Sequence, residues 1–295
     1  MPELPEVETV RRGLVPALVG QRLTRVESRR KNLRFPLPDR FAERLTGQTI
    51  VRLERRAKYL VASLSSGETL VMHLGMTGRF TVAGGADGGA DEIGAYVYGT
   101  GADPKHDHVI FHAGNHGRVI YNDPRRFGYM LLVEAGGLEG HALFASLGPE
   151  PLGADFNAGY LAERAAPKKV NLKALLMDQR VVAGLGNIYV SEALFRAGLS
   201  PLRAAATLAD RGGRGAGKSG RLVAAAQDVL TEAILAGGST LKNYRHADGS
   251  SGQFQEAFKV YDREDQGCVR PGCNGKVRRI VQTGRATFYC PKCQK

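Results

Sequence analysis

Apolar residues recur along this chain with two different periods, and the switch between them divides it. At the start, Val7, Val10 and Leu14 are spaced as on one helical face. Glu6 and Glu8 lie towards the helix start and Arg11 and Arg12 further on, as the helix dipole favours. A helix is predicted over residues 3–14. Pro5 suits a first turn, where its missing N–H is no loss, and Pro16 should end or kink the helix. From about residue 20 to 135 the period falls to two. Leu60, Ala62 and Leu64 alternate with Val61 and Ser63. Leu70, Met72, Leu74 and Met76 share one face, and Phe127, Tyr129, Leu131 and Val133 share another. Several such strands separated by turn residues predict an antiparallel sandwich or barrel. Residues 83–103, rich in Gly, Ala and Asp, have little to bury and read as a mobile surface loop.

After about residue 150 the helical period returns. Leu172, Leu175 and Leu176 open one helical run. Gly184-Leu185-Gly186-Asn187 makes a tight turn, and Ile188 to Ala197 form another helix, stopped near Gly198 and Pro201. Arg211 to Gly220 reads as a Gly-rich basic link, and Leu222 to Leu235 as a further helix. Residues 237–257 are polar and Gly/Ser-rich. There is no internal repeat. The pattern gives a β-rich domain over 1–135, a helical domain over 136–257 and a small metal ribbon over 258–295.

Charge narrows the partners. The 41 Lys and Arg outnumber the 29 Asp and Glu, for a net charge of +12 over 295 residues. Such a surplus favours a polyanion, because neutralising phosphates releases counterions. No apolar run approaches the roughly 20 residues that span a bilayer. The acidic, Pro-rich start lacks the basic and apolar regions of a secretory signal. The expectation is a cytoplasmic protein with no membrane partner. In that compartment four cysteines read as metal ligands rather than disulfides.

All four cysteines, Cys268, Cys273, Cys290 and Cys293, lie in the last 28 residues, spaced C-x4-C, sixteen residues, then C-x2-C. Two short cysteine turns separated by a hairpin-length span are what tetrahedral zinc requires, so one structural Zn2+ is expected. The module has no Asp or Glu but carries Arg270, Lys276, Arg278, Arg279, Arg285, Lys292 and Lys295, a surface suited to phosphate.

The opposite end carries a candidate nucleophile. Pro2 is small, so Met1 is expected to be removed, leaving a secondary amine at the start. An α-amino group has a pKa near 8 in model peptides and is partly unprotonated at neutral pH, unlike a lysine. Such an amine can attack a sugar carbon and form an iminium ion, which acidifies neighbouring C–H bonds. Glu3 and Glu6 lie close by, so one can donate a proton while the other stays ionised. Read alone, the same residues equally form a helix cap with acids near the positive end of the dipole.

Several stretches together resemble the formamidopyrimidine-DNA glycosylase family. They are Pro2-Glu3-Leu4-Pro5-Glu6-Val7-Glu8-Thr9, Arg55-Arg56-Ala57-Lys58-Tyr59-Leu60, His73-Leu74-Gly75-Met76, Lys105-His106-Asp107-His108 and Asp123-Pro124-Arg125-Arg126-Phe127-Gly128. In the second half come Leu147-Gly148-Pro149-Glu150-Pro151-Leu152, Gly186-Asn187-Ile188-Tyr189 and Gln282 to Cys290. They run in family order over nearly the whole chain. The resemblance implies an α+β multidomain fold: an N-terminal antiparallel β-sandwich with an N-terminal helix, a helix–two-turn–helix domain and a four-cysteine zinc finger. DNA would lie between the domains.

It also implies a bifunctional glycosylase and AP lyase of base excision repair. Such an enzyme acts on double-stranded DNA containing oxidised purines or abasic sites, as a monomer associated with the nucleoid. By resemblance, Pro2 attacks the anomeric carbon, Glu3 is the general acid that opens the sugar, Glu6 handles protons or orients, and Lys58 contacts the phosphate beside the lesion. Asn187 and Arg285 grip flanking phosphates, and His73 and Lys173 are further phosphate contacts. Met76, Arg125 and Phe127 fill the void left by the flipped base. Strand alternation alone would instead place Met76 and Phe127 in the core. Residues 237–257 match the loop that closes over the extruded base.

The first cysteine pair departs from the commoner family spacing C-x2-C, and the 83–103 segment is longer than usual. Two other readings stay open at this point. One is the sister group resembling endonuclease VIII, which acts on oxidised pyrimidines. The other is a non-catalytic zinc protein that binds damaged DNA.

Overall fold

The computed structural model describes residues 2–84, 103–114, 117–209, 214–239 and 253–295. The chain splits into two compact units, Met1–Ala145 with Ala236–Gln253, and Ser146–Leu235 with Phe254–Lys295. The stretch Ala236–Gln253 thus groups with the N-terminal unit although it follows the helices in sequence. Most of the 83–103 segment, and residues 240–252 of the 237–257 segment, lie outside the described residues.

In the first unit, helix α1 (Leu4–Leu18) and the short α2 (Phe41–Leu45) accompany eight strands. Strands β1 (Leu23–Ser28), β5 (Arg79–Ala83), β6 (Asp107–Ala113) and β7 (Arg118–Asn122) form one antiparallel sheet in the order β1-β6-β7-β5. Strands β2 (Ile50–Arg56), β3 (Tyr59–Leu64), β4 (Thr69–His73) and β8 (Tyr129–Val133) form the other, in the order β2-β3-β4-β8. The inward rows of both sheets meet in one core. Leu60, Ala62, Leu64, Leu70, Met72 and Met130 come from one sheet, and Val26, Phe80, Phe111, Val119 and Tyr121 from the other. Val7, Val10 and Leu14 of α1 close it, so the helical spacing at the chain start faces the sandwich as expected.

Two expectations fail here. The first helix runs on to Leu18 through Pro16. Proline removes one backbone donor in the last turn, but Leu14, Ala17 and Leu18 are fully buried, and that packing outweighs the lost bond. The second concerns Met76 and Phe127. Strand β4 stops at His73 and β8 starts at Tyr129, so both residues sit in turns and are 43% and 40% exposed. They are not core.

The second unit holds α3 (Ala158–Ala165), α4 (Leu172–Met177), α5 (Asn187–Ala197) and α6 (Arg214–Leu235), then the hairpin of β9 (Arg278–Gln282) and β10 (Arg285–Tyr289). The basic stretch expected as a link is helical from Arg214, because Ser219 and Leu222 already face the core. Helix α5 is almost wholly apolar on its buried side, apart from one acid. Glu192 is fully buried and accepts backbone N–H bonds from Lys259, Val260 and Tyr261 at 2.8–3.1 Å. Burial pushes its carboxyl pKa up, and the three amides pull it back only in part. The far end of α5 is capped by Gly198 in the left-handed region. There the chain's last residues dock: the Lys295 amide donates to the Gly198 carbonyl (3.0 Å), and Gln294 Nε2 to the Leu199 carbonyl (2.9 Å).

Replacing Glu192 with Ala should lower the unfolding free energy by roughly 3 kcal/mol in urea melts, because three amides lose their acceptor. A loss under about 0.5 kcal/mol, the scale of a surface substitution, would show that those amides find other partners.

Candidate functional site

The start of α1 is held by hydrogen bonds at both its ends of contact. Glu3 is the N-cap, and its backbone N–H donates to Glu6 Oε2 at 2.8 Å, half of a capping box. The other oxygen, Oε1, accepts from the Ser239 amide (2.8 Å) and hydroxyl (3.0 Å). Pro2 and Glu3 are buried, Glu3 to 5% exposure. Glu6 therefore orients the turn that carries Pro2 and Glu3, and it anchors the start of the segment following α6.

Lys58 sits in the β2–β3 turn, where Ala57 adopts φ +53°. Arg55 holds this turn: its Nη1 donates to the Ala57 carbonyl (3.0 Å) and its Nε to Glu8 Oε2 (3.3 Å). Glu8 also takes Arg11 at 2.8 Å and Arg12 at 3.0 Å. Burial alone would raise the Glu8 pKa, but the three guanidiniums bring it below the usual carboxylate range. Helix α1 and the Lys58 turn are thus tied together by charge.

His73 ends β4, opposite Tyr59 on one side and Tyr129 on the other. Its ring stacks on Tyr129 at 5.0 Å and 15°. Its Nδ1 accepts from the Gly75 amide (3.0 Å), which leaves Nε2 as the protonated nitrogen. Burial first, then the nearby charges of Lys58 and Arg34, lower its pKa to about 4. The ring is neutral at physiological pH, and Lys58 lies close enough to bias it.

Met76, Arg125 and Phe127 lie on two neighbouring turns. The Arg125 guanidinium stands 4.5 Å from the centre of the Phe127 ring, a cation–π contact. Beside them Asn32, Leu33, Arg34, Arg125, Arg126 and Phe127 line an open recess of about 380 Å³.

In the second unit, Asn187 begins α5 and donates through Nδ2 to the Ala286 carbonyl at 2.9 Å, while its buried Oδ1 has no partner among the described residues. Ala286 follows the exposed Arg285 on β10, so this bond ties Asn187 to the residue next to Arg285 in the chain. Lys173 is 0% exposed, and its ammonium donates to the Ala286 carbonyl (3.0 Å) and to the Thr287 hydroxyl. An ammonium turned inward in this way ties α4 to the hairpin.

The four cysteine sulfurs lie within 4.8 Å of one another. Cys268 and Cys293 are 3.7 Å apart, as are Cys273 and Cys290. A tetrahedron with Zn–S bonds of about 2.3 Å has edges of about 3.8 Å, so the donor set fits zinc. A side chain on Gly275 would sit 2.8 Å from the Cys290 sulfur, so only glycine leaves room there.

Sequence reasoning gave no role to Arg55 or Glu192, though each carries part of this framework. The signal for Glu192 was present: a lone acid inside an apolar helical run.

The chain matches the family model of the formamidopyrimidine-DNA glycosylase N-terminal domain over residues 1–130. It matches the model of that family's H2TH domain over residues 147–245. It is 58% identical to a formamidopyrimidine-DNA glycosylase of Methylobacterium sp. (strain 4-46) over 295 residues, covering 100% of this chain and 99% of that one. With the enzyme of that name from Rhizobium johnstonii it shares 55% over 298 residues, covering all of both. Among solved structures it is similar to the MutM (Fpg) protein of Thermus thermophilus, with TM-score 0.81, 39% identity and coverage of 99% and 98%. It is also similar to Lactococcus lactis Fpg in complex with DNA containing an abasic site, with TM-score 0.83, 30% identity and full coverage of both chains. The chain belongs to the formamidopyrimidine-DNA glycosylase family.

Proposed function

We propose that this chain is a bifunctional DNA glycosylase and AP lyase of base excision repair that removes oxidised purines from duplex DNA. The observation that carries this reading is the buried Pro2–Glu3 pair at the start of α1, whose backbone one oxygen of Glu6 holds while the other oxygen is fixed by Ser239. A surface helix cap does not need such an anchor.

With Met1 removed, the Pro2 nitrogen lone pair forms a bond to C1′ as the C1′–N9 bond breaks. The base leaves with the electron pair and takes up a proton. Glu3 gives its proton to the ring oxygen O4′, which opens the sugar and leaves an iminium at C1′. The iminium acidifies C2′–H, and loss of that proton expels the 3′ phosphate. A second elimination expels the 5′ phosphate, and hydrolysis returns the amine. Glu6 acts by orientation, since both its oxygens already accept hydrogen bonds.

In this reading residues 1–135 carry the chemistry, while 136–257 and 258–295 hold the backbone. Lys58 and neutral His73 donate to phosphates near the lesion, and Asn187 and Arg285 to those flanking it. Lys173 fixes Ala286 and Thr287, and so sets Arg285. Because chemistry on a stacked base requires its extrusion, Met76, Arg125 and Phe127 fill the gap. A zinc ion held by Cys268, Cys273, Cys290 and Cys293 supplies no chemistry; it fixes the hairpin that bears Arg285.

Borohydride added during reaction with a duplex carrying 8-oxoguanine should trap the protein covalently through Pro2. Glu3→Gln should lose base release by roughly a hundredfold or more, with little loss of DNA affinity. Unchanged excision by Glu3→Gln would end its assigned role, and a stronger trap on oxidised thymine would move the chain's substrate class to pyrimidines. Purified protein should contain close to one zinc per chain by elemental analysis, and Cys290→Ala should lose both the metal and thermal stability. Active protein without zinc would overturn the metal assignment.

His73 gives a pH dependence of known sign. Its pKa falls from 6.5 when unfolded to about 4 when folded, so below pH 6.5 the unfolded chain binds the extra proton. Its contribution is complete above that pH and is lost as pH falls towards 4. The stability difference between wild type and His73→Gln should therefore shrink over that window in thermal melts. A constant difference would place the His73 pKa near its ordinary value.

A further inference from the structure

Resting on the functional reading above, we propose that Thr77 and Asp123 form a latch that presents Met76, Arg125 and Phe127 to DNA as one rigid wedge. These three residues come from two separate turns, one after β4 and one after β7. Met76 adjoins Thr77, Arg125 is bonded to it, and Phe127 adjoins Gly128, which is bonded to Asp123. Asp123 is fully buried. Its Oδ1 accepts from the Thr77 hydroxyl, and its Oδ2 accepts from the Gly128 amide (2.9 Å) and the Tyr121 hydroxyl (3.2 Å). The Thr77 oxygen in turn accepts from the Arg125 amide at 3.3 Å. Met76 precedes Thr77 and Phe127 precedes Gly128 in the chain, so the latch reaches the backbone at all three wedge residues.

The two turns are also in backbone contact. A side chain on Gly75 would lie 2.3 Å from the Gly128 nitrogen and the Phe127 carbonyl carbon, and one on Gly128 would lie 1.9 Å from the Tyr121 hydroxyl. The Asp123 backbone is itself fixed, donating to the His106 carbonyl (3.0 Å) while its own carbonyl meets His108 Nε2 (2.9 Å) and the Arg126 amide (3.2 Å). Among the described residues no Lys or Arg forms an ion pair with Asp123, so hydroxyls and an amide meet its charge. A carboxylate buried in this way is costly, and it lies outside the apolar cluster of the sandwich. What the carboxylate adds is a fixed distance between the turns. Filling a gap in a base stack requires that rigidity, because separate flexible side chains would have to be ordered as each base leaves.

The test compares Thr77→Val, which keeps the shape but loses the hydroxyl, with Thr77→Ser, which keeps it. Single-turnover release of 8-oxoguanine from a duplex should slow by roughly tenfold in Thr77→Val and return to within about twofold of wild type in Thr77→Ser. Cleavage of an abasic site in a single-stranded oligonucleotide, where no partner base must be supported, should stay within about twofold for both. Thr77→Ala also lacks the hydroxyl and serves if Thr77→Val does not fold. Full-speed release by the hydroxyl-free variants, equal slowing on both substrates, or no recovery with serine would each overturn the latch. A wild-type protein that acts on neither substrate would instead remove the functional reading on which the latch rests.

Discussion

The carboxylate of Glu6 is the fixed point around which the start of α1 is built. One oxygen holds the backbone of Glu3 and the other holds Ser239, which follows α6 in sequence. A chain end is ordinarily the least ordered part of a protein. Here the first residues are buried, capped and cross-linked by hydrogen bonds to a segment more than two hundred positions away. The main-chain nucleophile proposed above has no side-chain rotamers to align it, so the backbone around it must be placed instead. The Glu8–Arg55 contact repeats the device further along α1, joining the helix to the turn that carries Lys58.

Much of this was legible in the sequence, and the reasons are physical. Period-two alternation marked the strands because one face of each meets the core, as with Leu60, Ala62 and Leu64. Helical spacing marked α1 and α5 for the same reason. The cysteine spacing pointed to one metal, and the four sulfurs do converge at the distances zinc requires. Alternation misled at Met76 and Phe127, because a strand's period carries on by chance into a turn. The β4–β8 ladder stops at the His73–Tyr129 pair, and beyond it the chain turns. Pro16 misled because local propensity was weighed without the burial of Leu14, Ala17 and Leu18. The inward direction of the Lys173 side chain is likewise not visible in the sequence, which shows a charge but not where it points.

Three buried carboxylates, Glu6, Asp123 and Glu192, share a pattern that sequence cannot display. Each accepts hydrogen bonds from backbone amides of a segment it must position. Backbone donors are fixed in space, whereas a lysine or arginine partner brings a long chain of rotatable bonds. An acid answered by amides therefore locates a segment more closely than a salt bridge does. The three segments so located are the chain start, the paired turns after β4 and β7, and the stretch packed against α5. The first two carry residues proposed above to meet substrate, and the third leads into the cysteine module.

The pairing of β4 with β8 sets a limit on how this chain can change length. His73 faces Tyr129 across the ladder, and Leu70 faces Leu132. Side chains alternate between faces, so one inserted or deleted residue in either strand would turn His73 into the sandwich and bring its apolar neighbours out. Gains and losses of sequence over evolutionary time are therefore confined to the connections, and these two strands should drift by substitution alone.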